Sequence, residues 1–348
     1  KQAKEYILRN IREARLTRAN LVNKLKHFEH DTGKKLTLSN YLEHYQYSLT
    51  DIYGKAGDRS FYRMKAEAGL ISDFRITDEE VIVKRFKNFF HVNSRKLIEY
   101  WIKVLKCGIS SSNYSDLTEN IVSNEEEQLM LGMLYYSLFS EPPERSGYKS
   151  FEQALLRLIR DNKEMVEEII EILNYNYQHI DFIDKDADMG FVCPLNVYCN
   201  YSVDQIMAAF GYFNESNKPA FREGVKYFKE YKLDAFFITL NKSEKDYSPS
   251  TLYEDYAISD RLFHWQSQSR TSVKSTTGQR YINHLKTGNK IVLFVRENKK
   301  SNNIPEAYTF LGEASYVSHS GDMPISFIWR MKEEIPASMM KKANKGIV

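Results

Sequence analysis

The chain has 348 residues, of which 42% are hydrophobic and 27% are charged, and its formal net charge is +3. These values are typical of a soluble globular protein with room for two domains, each with its own core. No apolar run approaches the ~20 residues that a membrane-spanning helix needs, so a membrane partner is not expected.

The three cysteines, Cys107, Cys193 and Cys199, do not suggest a disulfide framework and favour a reducing, cytoplasmic location. The sequence begins at Lys1 without Met or a signal-peptide pattern. We therefore expect it to be a fragment of a longer protein.

Residues 1–184 predict an α-helical bundle. Apolar residues recur at helical spacing over 2–30, before Gly33, and again over 125–139 and 150–174, where Ser150 is the expected N-cap. Thr77 to Glu80 have the pattern of a capping box. No phosphate-binding P-loop motif occurs in the chain, so no ATPase site is expected in it.

A boundary is predicted near the aspartate-rich segment 184–190. Asp184, Asp186 and Asp188 alternate as in a calcium loop, but Gly190 is misplaced and the final Glu of such a loop is missing. A solvated linker is the favoured interpretation, and residues 185–348 form the second predicted domain.

The second domain is predicted to be rich in short β-strands. After a small helix that Ser202 caps, the predicted strands are 225–231, 235–240, 252–257, 262–268, 291–296, 308–311 and 325–330. Evenly spaced short strands favour a closed or strongly curved sheet. The fold class is therefore α+β, with a helical bundle followed by a β-rich domain.

Positive charge is concentrated in this second part. Residues 191–348 contain 21 Lys and Arg against 16 Asp and Glu, and residues 261–300 contain nine basic residues against Glu297 alone. Phosphate contacts dominate nucleic-acid affinity, so a polyanionic partner is expected; a solvated surface without a partner is the alternative.

The segment 247–280 combines three kinds of side chain that nucleic-acid readers use. Aromatic rings stack on bases, carboxylates and amides read base edges, and Lys and Arg hold phosphates. The same alternating aromatics would also fill an ordinary core, so the residue types alone leave both interpretations open.

Six strings in this half carry a family resemblance: FREGVKYF (221–228), AFFITLNKSEKDYSP (235–249), LYEDYAIS (252–259), LFHWQSQS (262–269), TGQRYINH (277–284) and YTFLGEASYVSH (308–319). Together they resemble the domain of unknown function that follows the helicase motor in the C-terminal part of SauUSI-like type IV restriction enzymes. The likeness is strong over the second half and looser over the helical half.

The resemblance implies recognition of 5-methylcytosine in duplex DNA as part of phage defence. It implies a barrel like those of SRA and PUA-like readers, a helical domain that couples motor to reader, and motor and nuclease domains elsewhere in the full-length chain. ATP and Mg²⁺ are expected for that longer protein, and no cofactor, metal or catalytic residue for this chain.

A reader of this kind can flip the nucleotide into a pocket between aromatic rings, where a carboxylate accepts the cytosine amine. The predicted base-pocket residues are Tyr253, Asp255, Tyr256, Phe263, Trp265 and Gln266. In a strand, 253 and 255 share one face and 254 and 256 the other, so Tyr253 with Asp255 and Phe263 with Trp265 are the consistent pairs, whereas Tyr256 fits the core better.

The predicted contacts to the DNA backbone are Lys242, Lys245, Arg270, Lys274 and Arg280. Thr276, Thr277 and Gln279 are expected on a loop that enters the gap left by the flipped base.

Two other functions remain open. One is a helicase-associated structural or protein-interaction module that reads no base. The other is a nuclease built on Asp246, Glu254 and Asp255 near Lys242 and Lys245, but the spacing does not give a convincing acid–x–Lys signature. The pair His27 and His30 lacks further ligands for zinc.

Overall fold

The computed structural model describes residues 16–54, 59–110, 121–222, 224–241, 255–301 and 304–343. The chain divides into two compact units, a helical unit (Lys1–Asp181) and a sheet-rich unit (Phe182–Val348). This division lies three residues before the predicted boundary between 184 and 185. In the part of the chain that the structure describes, no helix has the length and apolar character needed to span a membrane.

The helical unit is a bundle whose helices pack through buried apolar faces. Its helices are α1 (Arg18–Thr32), α2 (Leu38–Tyr45), α3 (Leu49–Tyr53), α4 (Phe61–Glu67), α5 (Glu79–Val83), α6 (Arg95–Ser110), α7 (Glu125–Leu138), α8 (Phe151–Asp161) and α9 (Lys163–Gln178).

The ends of α1 follow from local chemistry. The side chain of Thr17 accepts a hydrogen bond from the N–H of Asn20, and Gly33 ends the helix in the left-handed conformation at φ +66°. The prediction that the helix stops at Gly33 is confirmed. The predicted beginning of this helix lies outside the described residues.

The predicted helix over 150–174 is instead two helices, α8 and α9, that meet at the buried residue Asn162. The Asn162 side chain donates from Nδ2 to Asp78 Oδ2 (3.0 Å) and accepts at Oδ1 from the Asp78 N–H (2.9 Å). Asp78 therefore makes no capping hydrogen bond to its own helix α5, and the predicted capping box at 77–80 was wrong. The contact between Asp78 and Asn162, 84 positions apart, therefore explains both the break between α8 and α9 and the missing capping box.

The sheet-rich unit is organised around one eight-stranded sheet. Its spatial order is β4 (Val225–Phe228), β5 (Leu233–Thr239), β8 (Lys290–Arg296), β11 (Tyr308–Ser320), β12 (Ser326–Met331), β7 (Leu262–Gln266) and β6 (Tyr256–Ala257), with β3 (Asn200–Tyr201) also paired to β11. Strands β5 and β8 are parallel, and the other pairs are antiparallel.

Short elements complete this unit. They are β1 (Lys185–Asp186) paired with β2 (Asn196–Val197), β9 (Lys300–Ser301) paired with β10 (Ile304–Pro305), and the helices α10 (Val203–Ala209), α11 (Thr276–Ile282), α12 (His284–Thr287) and α13 (Ala337–Ala343). Ser202 and Gln205 form the capping box of α10, so the predicted cap at Ser202 is confirmed.

Both faces of the central strands are covered, which explains why β5 and β8 are buried along nearly their whole length and are mostly apolar. On the face here called the inner face, Phe236, Leu293 and Trp329 belong to one hydrophobic core with Tyr281 of α11. On the opposite face, Phe237 stacks on Phe294 at 5.3 Å between ring centroids.

No pairing joins β4 to β6 among the described residues, so the sheet path is open there and the predicted closed barrel is not seen. Strand β11 extends to Ser320, well beyond the predicted 308–311. Its second half is largely polar, so the apolar pattern that predicted the strand ended too early. Register shifts occur in it between Phe310 and Gly312 and between Tyr316 and Ser318, and bulges of this kind bend a strand.

Candidate nucleic-acid interface

Strand β7 directs its side chains alternately to the two faces of the sheet. Phe263 and Trp265 are 0% and 5% exposed and belong to the inner core, whereas His264 and Gln266 are half-buried on the other face. The Trp265 ring stacks on Phe236 with centroids 4.0 Å apart. The two strand-β7 aromatics of the predicted base pocket are therefore packed in the interior of the sheet-rich unit.

The carboxylate of Asp255 is buried at the start of β6. Its Oδ1 accepts the backbone N–H of Gln266 at 2.9 Å, and the residue is 6% exposed. Asp255 directly precedes Tyr256, which is opposite His264 in the β6–β7 register, and its carboxylate binds β7 one residue beyond Trp265. That Asp255 and Tyr256 point to opposite faces stays a prediction, because β6 begins at Tyr256.

A row of inner-face residues runs across three strands at this end of the sheet. Trp265 is opposite Phe327 of β12, and Phe327 is opposite His319 of β11. Trp265, Phe327 and His319 are here called the inner row. The centroids of Trp265 and Phe327 are 5.9 Å apart, with their planes inclined by 28°. The row thus consists of aromatic side chains, and the buried carboxylate of Asp255 lies at the neighbouring end of β7.

Tyr256 and Gln266 lie on the outer face, away from the inner row. The Tyr256 ring stacks on His264, with centroids 4.7 Å apart, and Gln266 Nε2 donates to Ser326 Oγ at 3.1 Å. The predicted pocket residues are thus divided between two faces of the sheet, and the structure does not bring them into one concavity. Tyr253 lies outside the described residues.

Arg280, a predicted phosphate ligand, forms a structural ion pair. Its Nε and one terminal nitrogen donate to the two carboxylate oxygens of Asp234 at 2.7 and 2.8 Å, and its guanidinium lies 4.0 Å from the centre of the Tyr227 ring. Asp234 is fully buried and also accepts from Asn289 Nδ2 at 2.9 Å. This arrangement fixes α11 on β5 and occupies the fork with which Arg280 would hold a phosphate.

The electrostatics of Arg280 agree with a structural role. Burial lowers the pKa of this guanidinium, but the hydrogen bonds and the negative charge of Asp234 outweigh it, so the pKa is raised overall. The side chain is 21% exposed. Arg280 therefore stays charged, and that charge is neutralised within the fold.

His284 is a second buried polar anchor. Its Nδ1 bonds to the carbonyl of Asn289 (3.0 Å), and its Nε2 accepts the backbone N–H of Tyr316 (2.9 Å). A ring that accepts at Nε2 and donates at Nδ1 is neutral. Burial lowers the pKa of His284, which agrees with this neutral form.

Arg270 and Lys274 are the predicted phosphate ligands that remain available. Both are exposed, and neither forms a hydrogen bond or ion pair within the described part of the chain. They lie in the segment 267–275 between β7 and α11, here called the β7–α11 loop. Lys242 and Lys245 lie outside the described residues.

Thr276, Thr277 and Gln279 are on helix α11, so the prediction that they lie on a loop was wrong. Ser275 caps this helix by accepting the N–H of Gly278, and Gln279 Nε2 donates to the carbonyl of Val273. These contacts fix the end of the β7–α11 loop to the first turns of α11.

The turn between β11 and β12, residues 321–325, lies against the β7–α11 loop and is here called the hairpin tip. Asp322 Oδ1 accepts the N–H of Val273 at 2.7 Å, and Ser267 and Ile325 exchange hydrogen bonds of 2.9 Å. No residue of this tip was predicted to bind DNA. The Gly-Asp-Met-Pro sequence (321–324) is a turn signal, but a turn signal alone does not indicate a binding role.

No curated protein matches the chain significantly. Residues 195–343 match the model of a family described as a domain of unknown function, DUF3427, so the likeness covers most of the sheet-rich unit and none of the helical unit.

Proposed function

We propose that the sheet-rich unit binds duplex DNA and recognises 5-methylcytosine in it, as the target-reading part of an ATP-dependent type IV restriction enzyme. One observation carries the proposal: the buried carboxylate of Asp255 lies beside the end of β7, and the loop that leaves this end bears the exposed cations Arg270 and Lys274.

The chemistry assigns different tasks to these groups. Arg270 and Lys274 hold phosphates and supply affinity that does not depend on sequence. Asp255 accepts the exocyclic amine of the cytosine, for which a carboxylate is a natural partner. A flipped base is needed, because Asp255 is buried and cannot reach a stacked base pair.

The inner row supplies the stacking surface. Phe236 covers one side of Trp265, so the base stacks on the side that faces Phe327. The two rings must separate further to admit it, since a centroid distance of 5.9 Å is too short for an intervening ring. Recognition by this route therefore includes a side-chain rearrangement in the inner row.

The sheet is proposed to be related to the SRA and PUA-like readers, with the barrel left open between β4 and β6 in the described residues. The bulges in β11 support this proposal because they curve the sheet around the core. The helical unit is proposed to couple this reader to the motor and nuclease domains of a longer cytoplasmic chain, which would use ATP and Mg²⁺; this chain itself is proposed to be non-catalytic.

A second candidate function is a helicase-associated interaction module without base readout. The packing of Phe263 and Trp265 in the hydrophobic core favours it, because such rings need no ligand to explain them. The two candidates differ in one measurable property, the preference for methylated DNA.

Asp255→Asn tests the proposed function. Asn keeps the size of the side chain and an oxygen for the Gln266 N–H, but it removes the charge that strengthens a hydrogen bond to the amine. Without this hydrogen bond the flipped base is held less firmly and its methyl group is buried less often, so we expect the variant to lose the preference for methylated over unmethylated duplex. Binding to unmethylated duplex, which phosphate contacts dominate, should stay unchanged, as measured by fluorescence anisotropy.

The matched control is Asp260→Asn, which removes the same charge from an exposed residue five positions along the chain. It should leave the preference at the wild-type value. A variant Asp255→Asn that discriminates as well as Asp260→Asn would remove Asp255 from the recognition site.

A further inference from the structure

The hairpin tip presents one exposed apolar side chain, that of Met323. Met323 is 58% exposed, and its backbone has φ +53°, in the left-handed region that residues other than glycine adopt rarely. Single exposed apolar side chains are common on protein surfaces, so exposure alone would carry no conclusion. The surroundings of Met323 distinguish it.

The tip is held rigidly from both sides. Asp322 accepts the Val273 N–H, and Ser267 Oγ accepts the N–H of Ile325, so the residues on either side of the Met323–Pro324 pair are fixed to the β7–α11 loop. Ser267 also donates its own N–H to the carbonyl of Ile325. A projecting side chain on such a support keeps its position when it is pressed against a ligand.

The same loop carries the exposed cations. Val273 is the loop residue that binds Asp322. Lys274 directly follows Val273, and Arg270 lies three positions before Val273. The only carboxylate of the tip, Asp322, is engaged by a backbone N–H. The loop that supports the apolar projection therefore also carries two groups suited to phosphates.

Proteins that kink or unstack duplex DNA insert apolar wedges, Met among them, between neighbouring bases while cations hold the backbone. We propose that Met323 is such a wedge and enters the base stack of duplex DNA next to the nucleotide that is read. This inference rests on the proposed function and replaces the predicted insertion of Thr276, Thr277 and Gln279, which helix α11 holds in place.

The test uses the full chain and a methylated duplex that carries 2-aminopurine beside the methylcytosine, because this base brightens when it is unstacked. Wild type should raise the fluorescence severalfold. Met323→Gly should lose most of this rise and bind about tenfold more weakly, whereas Met323→Leu, which keeps the apolar bulk, should retain both.

Two further measurements show whether a loss of binding comes from misfolding of the variant. Glycine suits the left-handed backbone, so Met323→Gly should unfold at a temperature no lower than that of wild type. Val317→Ala removes another exposed apolar side chain from β11, away from the tip, and should change neither fluorescence nor affinity.

The outcomes separate the wedge from the proposed function. If Met323→Gly keeps the fluorescence rise and binds within twofold of wild type, the wedge is overturned and methylcytosine recognition is unaffected. If wild type unstacks DNA through Met323 but shows no methyl preference, the wedge stands and base recognition fails. If wild type binds no duplex, both proposals fail.

Discussion

At the scale of single residues, charge alone did not identify the partners of the basic side chains. Arg280 and Lys274 are six positions apart and were indistinguishable as predicted phosphate ligands. The structure separates them, because Asp234, 46 residues earlier, binds Arg280 while Lys274 is exposed.

Arg280→Ala should destabilise the protein by about 3–5 kcal/mol, since within the described part of the chain it leaves the fully buried carboxylate of Asp234 with Asn289 as its one remaining side-chain partner. Urea unfolding measures this loss. Adding Asp234→Asn should recover part of it by removing the buried charge. An Arg280→Ala variant within 0.5 kcal/mol of wild type would show that the ion pair is not structural.

Lys274→Ala is the matched comparison and should behave in the opposite way. Its stability should stay within about 0.5 kcal/mol of wild type, because the side chain is exposed. Its affinity for all duplexes should fall, and the slope of log affinity against log salt should become smaller by about one. An unchanged slope would exclude Lys274 as a phosphate contact.

Part of the candidate site follows from the sequence at this scale. Period-two alternation correctly paired Phe263 with Trp265 on one face of β7. It cannot tell which face is the core, because that depends on Phe236 and Phe327 from strands distant in the sequence.

At the scale of elements, helix α11 illustrates how tertiary contacts override local signals. Its sequence, TTGQRYI, contains residues of modest helix propensity and a glycine, so local propensity does not favour a helix there. The helix forms because Ser275 caps it, Tyr281 is buried in the core and Arg280 binds Asp234. None of these partners can be recognised from the segment itself.

Gly278→Ala should therefore be destabilising, although alanine favours helices. A Cβ at position 278 would lie 2.1 Å from the carbonyl oxygen of Ser272, a backbone atom that cannot move without shifting the β7–α11 loop. Propensity alone predicts a gain of about 1 kcal/mol, so the sign of the change decides between the two effects.

Thermal unfolding provides the measurement, with Thr276→Ala at an exposed position of the same helix as the control. A Gly278→Ala variant more stable than wild type would show that the close approach to Ser272 is not maintained in solution. Because the loop carries Arg270 and Lys274, the destabilised variant should also bind DNA more weakly.

The strands and helices themselves were largely predictable where the apolar period was strong. The predicted ranges 291–296 and 125–139 differ from the observed strand β8 and helix α7 by one residue each. The break at Asn162 and the polar half of β11 were missed, because a long-range contact to Asp78 and pairing with β12 determine them.

At the scale of the whole molecule, the two units should respond to pH in opposite directions. In the helical unit, Glu168 is buried and accepts the N–H groups of Phe61 and Tyr62 at the start of α4. Burial raises the pKa of Glu168 from 4.5 to about 7 and outweighs the lowering effect of these hydrogen bonds.

Between pH 4.5 and 7 the folded helical unit therefore holds a proton that the unfolded chain has released. The stability contribution of Glu168 is complete below pH 4.5 and falls by about 3 kcal/mol as the pH rises to 7. Glu168→Gln should abolish this slope. Urea unfolding at pH 5 and pH 8 measures the change in the free energy of unfolding. An equal change in wild type and Glu168→Gln would show that Glu168 does not cause it.

The sheet-rich unit should lose stability on acidification instead. Burial lowers the pKa of His284, so below its ordinary value of 6.5 the unfolded chain binds a proton that the folded unit excludes. Trp101 is the only tryptophan in residues 1–181 and Trp265 and Trp329 lie in the other unit, so single-tryptophan variants follow each transition separately.

The central claim is that the sheet-rich unit discriminates a methyl group on cytosine in duplex DNA. The most direct measurement is the ratio of dissociation constants of this chain for two duplexes that differ only in one 5-methylcytosine, at one fixed salt concentration. Burial of a methyl group is worth about 0.8 kcal/mol, so the account predicts at least about fourfold tighter binding of the methylated duplex. Equal affinities for the two duplexes would contradict it.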